Sequence, residues 1–167
     1  MAEKDTIFSA KIKQVGLDNF KDFYSFAYDW LVGEGYDITE KKYSEKVGGD
    51  SKDIDIEWDA VRKISDYFKF VMNITWQILG LKDAEVVKDN KKIITNKASF
   101  EIKVKGILNK DYENKWEDHP FWKFLRGVYD RYIIRTRVTE YENKLFRECD
   151  EFLSQCKAFL AIEGKRT

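Results

Sequence analysis

Three features of the 167-residue sequence predict an α+β fold: an antiparallel sheet of three to five strands covered by a long C-terminal helix, with one or two N-terminal helices. Residues 67–78 and 100–108 alternate apolar and polar side chains, the period of a strand with one buried and one wet face. Residues 120–162 instead carry the longest run at a 3.6-residue period, that of a helix with one apolar face. A sheet with one apolar face needs a cover, and the long helix is the natural one.

Taken in order, residues 6–15 alternate loosely, with Phe8, Ala10 and Ile12 on one side and Lys11 and Lys13 on the other, and read as a first strand ended by Gly16. Asp18 or Asn19 can cap a helix whose apolar face holds Phe20, Phe23, Tyr24, Ala27, Trp30 and Leu31 before Gly33 closes it. A shorter second helix is expected after Thr39, carrying Tyr43 and Val47 up to Gly48 and Gly49. From Asp53 the period changes to two: Ile54, Ile56 and Trp58 point one way, Asp53, Asp55, Glu57 and Asp59 the other.

The clearest strand follows a turn at Ser65 and Asp66. Phe68, Phe70, Met72, Ile74, Trp76 and Ile78 share one face, while Tyr67, Lys69, Val71, Asn73, Thr75 and Gln77 form the other, mixed face. After Gly80, residues 84–87 and 93–95 predict two short paired strands around a bend at Lys88, Asp89, Asn90 and Lys91. Phe100, Ile102, Val104, Gly106 and Leu108 then oppose Ser99, Glu101, Lys103 and Lys105, with a bend or bulge expected at Gly106.

Asp118 can cap the last helix, and Pro120 sits in its first turn, where a missing N–H costs nothing. Its apolar positions run Phe121, Phe124, Leu125, Val128, Tyr132 and Ile133. After a weaker patch at 136–139 they resume as Val138, Tyr141, Leu145, Cys149, Phe152, Cys156 and Phe159, until Gly164 supplies a stop. An unbroken helix would be about 60 Å long, so either it breaks or bends near 136–139 or its part 138–162 projects from a single domain spanning 1–167. The expected core packs residues 68–78 and 100–108 against 121–133. This element order is similar to that of helix-grip ligand-binding folds, in which a curved sheet grips a C-terminal helix. The likeness is of order alone and implies no ligand or residue role.

Lysine and arginine balance aspartate and glutamate at 30 each, which argues against nucleic-acid binding driven by overall charge. The charge is unevenly spread: residues 1–60 carry 8 basic and 14 acidic side chains, and each of the next two stretches is net positive. Cys149 and Cys156 lie seven apart on one helix face, about 10 Å along the axis and too far for an ordinary disulfide. Buried free thiols and a cytoplasmic, reducing location are expected. No run is long and apolar enough to predict a membrane span or a secretion signal.

Candidate chemistry is sparse. His119, the single histidine, has Glu117 and Asp118 nearby in sequence, but the helix start explains that segment. Alternate residues of the row Asp53, Asp55, Glu57 and Asp59 stand about 6 to 7 Å apart, too far for a compact cation cage. No phosphate loop, nucleophile elbow or zinc-peptidase pattern occurs, so no catalytic, cofactor or metal residue is expected.

Two surfaces carry more. With 12 Phe, 9 Tyr and 5 Trp the chain is aromatic-rich, which raises the prospect of a partner surface or an apolar pocket. Basic and aromatic side chains interleave in 121–137, pointing to a non-enzymatic binding or assembly protein. It would present Trp122, Arg126, Tyr129, Arg131, Arg135 and Tyr141 to a protein partner or to a second copy. The mean spacing of 3.5 over 138–159 would also suit a coiled-coil seam between copies. Alternatively, sheet and helix enclose an apolar ligand or lipid between Phe68, Phe70, Trp76, Phe100, Phe121 and Val128. Peripheral membrane contact is a third reading, since rings beside cations suit an anionic interface.

Overall fold

A computed structural model describes residues 3–65, 67–110, 120–128 and 135–165. The order is β1 (Glu3–Leu17), α1 (Phe20–Gly33), β2 (Asp37–Gly48), β3 (Ser51–Lys63), β4 (Phe68–Lys88), β5 (Lys91–Lys110), α2 (Pro120–Val128) and α3 (Arg135–Lys165). The strands form one sheet in the order β1-β5-β4-β3-β2, antiparallel at every pairing. The expected α+β class and antiparallel sheet are therefore present, the sheet at the upper end of the three to five strands that alternation predicts, with one helix before the sheet's long hairpins and helix at the C-terminal end.

Alternation sets the inner face. Ile54, Ile56 and Trp58 of β3, the even residues from Phe68 to Ile78 of β4, and Phe100, Ile102, Val104 and Leu108 of β5 are all buried. Helix α1 starts where Asn19 accepts a hydrogen bond from Asp22 N–H at 3.1 Å, while the Asn96 side chain of β5 accepts from Phe20 N–H at 3.0 Å. One cap is local and the other comes from the sheet, so the helix start is tied to β5. Phe23, Ala27 and Leu31 face inward, and Phe23 meets Trp76 at 5.0 Å, with Trp58 and Trp76 4.8 Å apart.

Three expectations are corrected. The second helix is instead β2, paired with β3 from Asp37↔Val61 to Gly48↔Ser51. Tyr43 and Val47, four apart, imitated a helical face, but they are 45% and 75% exposed and nothing buries such a face. An edge strand with a wet outer face carries almost no apolar alternation to read. The short strands 84–87 and 93–95 are the outer ends of β4 and β5, which form one long hairpin. Gly80 (φ +66°) marks a bulge between Leu79 and Lys82 rather than an end. Asp89 and Asn90 both take positive φ, 51° and 63°, as a tight hairpin turn requires.

The third correction concerns the cover. Leu145, Cys149, Phe152, Leu153, Cys156 and Leu160 of α3 are buried against β1, β5 and α1, whereas Phe121 and Phe124 of α2 are exposed. The second half of the C-terminal region therefore roofs the sheet, while Phe121 and Phe124 of the expected cover stay outside the core and residues 129–133 of it lie outside the described residues. Helix α3 is 31 residues, about 46 Å, and runs helical through 136–139, where a break or bend was one of the two alternatives. Gly106 explains where it crosses the sheet. A Cβ there would lie 2.6 Å from Cys149 Sγ and 3.3 Å from Phe8 Cβ, so only a glycine lets α3 approach β5 this closely. The irregularity expected at Gly106 lies opposite it, between Thr6 and Phe8 of β1.

Candidate functional site

The stripe read as a coiled-coil seam is used internally. Leu145, Cys149, Phe152 and Cys156 are fully buried, and Val138, Tyr141 and Phe159 pack against the same core. Ring contacts fix them: Phe152 with Trp30 at 5.5 Å, Phe159 with Phe23 at 5.6 Å and with Phe26 at 4.8 Å, Tyr141 with Phe68 at 4.8 Å. Burial pushes both thiols up to about 12, with Glu148 adding to the effect on Cys149. Protonated thiols sealed in a core are packing groups, without the thiolate that nucleophilic or metal chemistry needs.

Of the residues expected to meet a partner, Arg135 is exposed at the first turn of α3, and Tyr141 is half-buried between the helix and Phe68 and Phe70. Trp122 and Arg126 belong to α2; Tyr129 and Arg131 lie outside the described residues, as do His119, Glu117 and Asp118. On α2 itself Phe121 and Phe124, three apart and hence neighbours on a helix surface, are 55% and 67% exposed. Arg137 joins Arg135 as an exposed cation one turn into α3.

The proposed apolar cavity divides. Phe68, Phe70, Trp76 and Phe100 are buried together on the inner face, Val128 is half-buried on α2, and Phe121 is exposed. The space above Trp76 and Phe100 is taken by Phe23, whose ring lies 5.0 Å from the first and 6.1 Å from the second. Among the described residues, two concavities lie elsewhere. One is an open trough of about 690 Å³ on the outer face of the sheet, and the other, about 310 Å³, lies beside the turns joining β2 to β3 and β4 to β5.

A buried polar cluster went unread in the sequence. Glu148 of α3 accepts a hydrogen bond from the Tyr36 hydroxyl at 2.7 Å and pairs with Arg62 of β3 at 2.8 Å. Arg62 also donates to the Glu34 carbonyl just past α1 at 2.8 Å, and its guanidinium lies over the rings of Tyr36 and Phe70 at 5.3 and 5.4 Å. Burial and then the Glu148 carboxylate raise the Tyr36 phenol well above its ordinary value. Every group of this cluster has a partner and neither concavity is lined by it, so its chemistry is that of a clasp joining α1, β3 and α3. Sequence separations of 28 to 112 residues hid it; the only hint was a glutamate on the apolar stripe next to Cys149.

The acidic row is engaged elsewhere. Asp53 accepts from Gly80 N–H at 2.8 Å and Asp59 pairs with Lys41 at 3.6 Å. Among the described residues no three His, Cys, Asp or Glu side chains come together as a metal site, and no described helix is long and apolar enough to cross a membrane. No known protein family, characterised protein or solved structure matches the chain.

Proposed function

We propose that the chain is a non-enzymatic, cytoplasmic binding or assembly protein whose α2 and first turn of α3 form the surface offered to a protein partner. One observation carries this reading: α3 closes the core with its own stripe, and Phe121 and Phe124 of α2 are more than half exposed. Exposed aromatics beside cations are the residue types that anchor interfaces, because a ring removes much area from water and an arginine adds directed hydrogen bonds. The clasp of Arg62, Tyr36 and Glu148 holds α3 in register and thus fixes where Arg135 and Arg137 stand relative to the sheet.

A photo-crosslinkable residue in place of Phe124, introduced in the cell of origin, should yield one dominant protein adduct. Phe124→Asp together with Arg135→Glu should abolish its recovery while the variant melts like the parent. Adducts to lipid alone, or flotation with anionic vesicles that the double variant loses, would replace the partner by a membrane surface. Adducts that persist in the double variant would remove α2 from the binding surface.

A further inference from the structure

Helices α1 and α3 close the inner face of the sheet, and the opposite face of β1, β5 and β4 carries an excess of lysine. Cross-strand rows there run Ser9, Lys105 and Asn73; then Lys11, Lys103 and Thr75; then Lys13, Glu101 and Gln77; then Val15, Ser99 and Leu79. Lys97 and Lys82 pair one step further out, where the β4–β5 hairpin runs on past the neighbouring strands. All six lysines are exposed. The single acid among these rows is Glu101, held by Lys11 at 3.7 Å. Among the described residues no carboxylate lies within ion-pair distance of Lys13, Lys82, Lys97, Lys103 or Lys105. Val15 and Leu79 are exposed on either side of Ser99, and Ile93, an even number of residues from Ser99 along β5, is exposed on the same side.

We propose that this half of the outer face docks on an anionic lipid membrane. Val15, Leu79 and Ile93 enter the headgroup layer, and the lysines around them meet the negative lipid groups. Large aliphatic side chains set among uncompensated cations are what such an interface takes up, since apolar burial and surface charge then act together. The composition of the face decides against the other polyanions. These rows and the hairpin beyond them hold no arginine to fork onto phosphates or base edges and no aromatic ring on which a base could stack. Lysine is also depleted from protein interfaces, where its strongly hydrated ammonium would have to dry, whereas in a headgroup layer it stays wet.

The acids nearby set the limits of the contact. Asp53, Asp55 and Glu57 lie on β3, the next strand, so the lipid meets β1, β5 and β4 while β3 and β2 tilt away. Asp83 of the hairpin bonds the Asn96 side chain at 3.0 Å on the opposite face, where alternation also places Glu85. The chain as a whole is neutral, so attraction depends on which side approaches, and the lysine-rich side is the one drawn to a negative surface.

Cosedimentation with vesicles of phosphatidylcholine, with and without phosphatidylserine, reads the contact. The full chain should bind the anionic vesicles, leave the neutral ones, and release as salt is raised. Lys97→Gln, Lys103→Gln and Lys105→Gln together should weaken binding about a hundredfold, because each lysine near such a surface contributes about fivefold. Val15→Ser with Leu79→Ser should weaken it about tenfold and leave the salt dependence unchanged. The same loss of charge on α3, by Lys144→Gln, Arg147→Gln and Lys157→Gln, should change binding less than about threefold. Phe124→Asp with Arg135→Glu should bind as the parent does, which separates this face from the α2 surface. A parent that ignores anionic vesicles, or takes neutral ones equally, overturns the proposal. So does binding that survives the triple lysine change, or that the α3 or α2 variants lose as fully. Retention of RNA in place of vesicles overturns it too and assigns the face to nucleic acid.

Discussion

The closest approach of α3 to the sheet gives the sharpest prediction. Gly106→Ala places a methyl group 2.6 Å from Cys149 Sγ and 3.3 Å from Phe8 Cβ. Ordinary contact distances are about 3.5 to 4 Å, so helix and strand must separate by about 1 Å or the sulfur must find another position in a filled core. Over-packing of that size costs about 1 to 3 kcal/mol, and removing a strand glycine returns about 0.5 to 1 kcal/mol by restricting the unfolded chain. The net expectation is a loss of about 1 to 2 kcal/mol, or roughly 2 to 8 °C in Tm for a chain of this size.

Cys149→Ala supplies the control, since it removes the atom that the new methyl strikes. By itself it should cost about 0.5 to 1.5 kcal/mol, as deletion of one buried heavy atom does. In the double variant the methyl occupies the space the sulfur left, so Gly106→Ala, Cys149→Ala should be more stable than the sum of the two losses by about 1 kcal/mol or more. Urea melts of the four proteins measure this cycle. Strict additivity, or a Gly106→Ala protein as stable as the parent, would show that α3 does not press on β5 at this point.

Four further outcomes follow from the same packing. Arg62→Met should cost about 3 to 5 kcal/mol in denaturant melts, because it strands the Glu148 carboxylate in the core, and adding Glu148→Met should recover part of that loss. Phe152→Ala should cost about 3 to 5 kcal/mol, whereas Phe124→Ala, at an exposed site, should stay within about 0.5 kcal/mol of the parent. Thermal stability should hold up to about pH 9 and fall toward pH 12. The folded chain keeps the Cys149 and Cys156 protons that the unfolded chain releases near 9, so stability is complete below the unfolded value and is lost as pH rises. Replacing both thiols by alanine should flatten the decline, as followed by circular dichroism across the alkaline range. Asn90→Gly should stabilise the long hairpin by up to about 1 kcal/mol in the same melts, since φ is 63° there.

What sequence periodicity made legible follows where one face of an element meets the core. Residues 67–78 alternate because every second side chain of β4 is buried beneath helices, and 18–33 repeat at three and four because Phe23, Ala27 and Leu31 are buried. Strand β2 lies at an edge, with nearly all its residues exposed, so no core imposed a pattern on it; two residues four apart then suggested a helix. Gly80 looked like an ending because a glycine stops a chain and bulges a strand with equal ease, and only pairing tells the two apart. The clasp could not be read at all. Its members are ordinary polar residues in sequence, and their burial follows from the meeting of three distant segments.

The misplacement of the helical cover has a physical cause that bears on function. Both halves of the C-terminal region offer an apolar stripe, and one sheet face can be roofed by only one of them. Selection between them rests on features outside either stripe: Gly106 admits Cys149, Phe26 and Trp30 of α1 supply rings for Phe159 and Phe152, and Arg62 with Tyr36 captures Glu148. All of these engage α3 beyond residue 144. A helix fixed by so many independent contacts cannot exchange its seam with another copy without losing the core. The proposed partner surface is accordingly placed on side chains that this packing leaves exposed, Phe121 and Phe124 of α2 and Arg135 and Arg137 of α3.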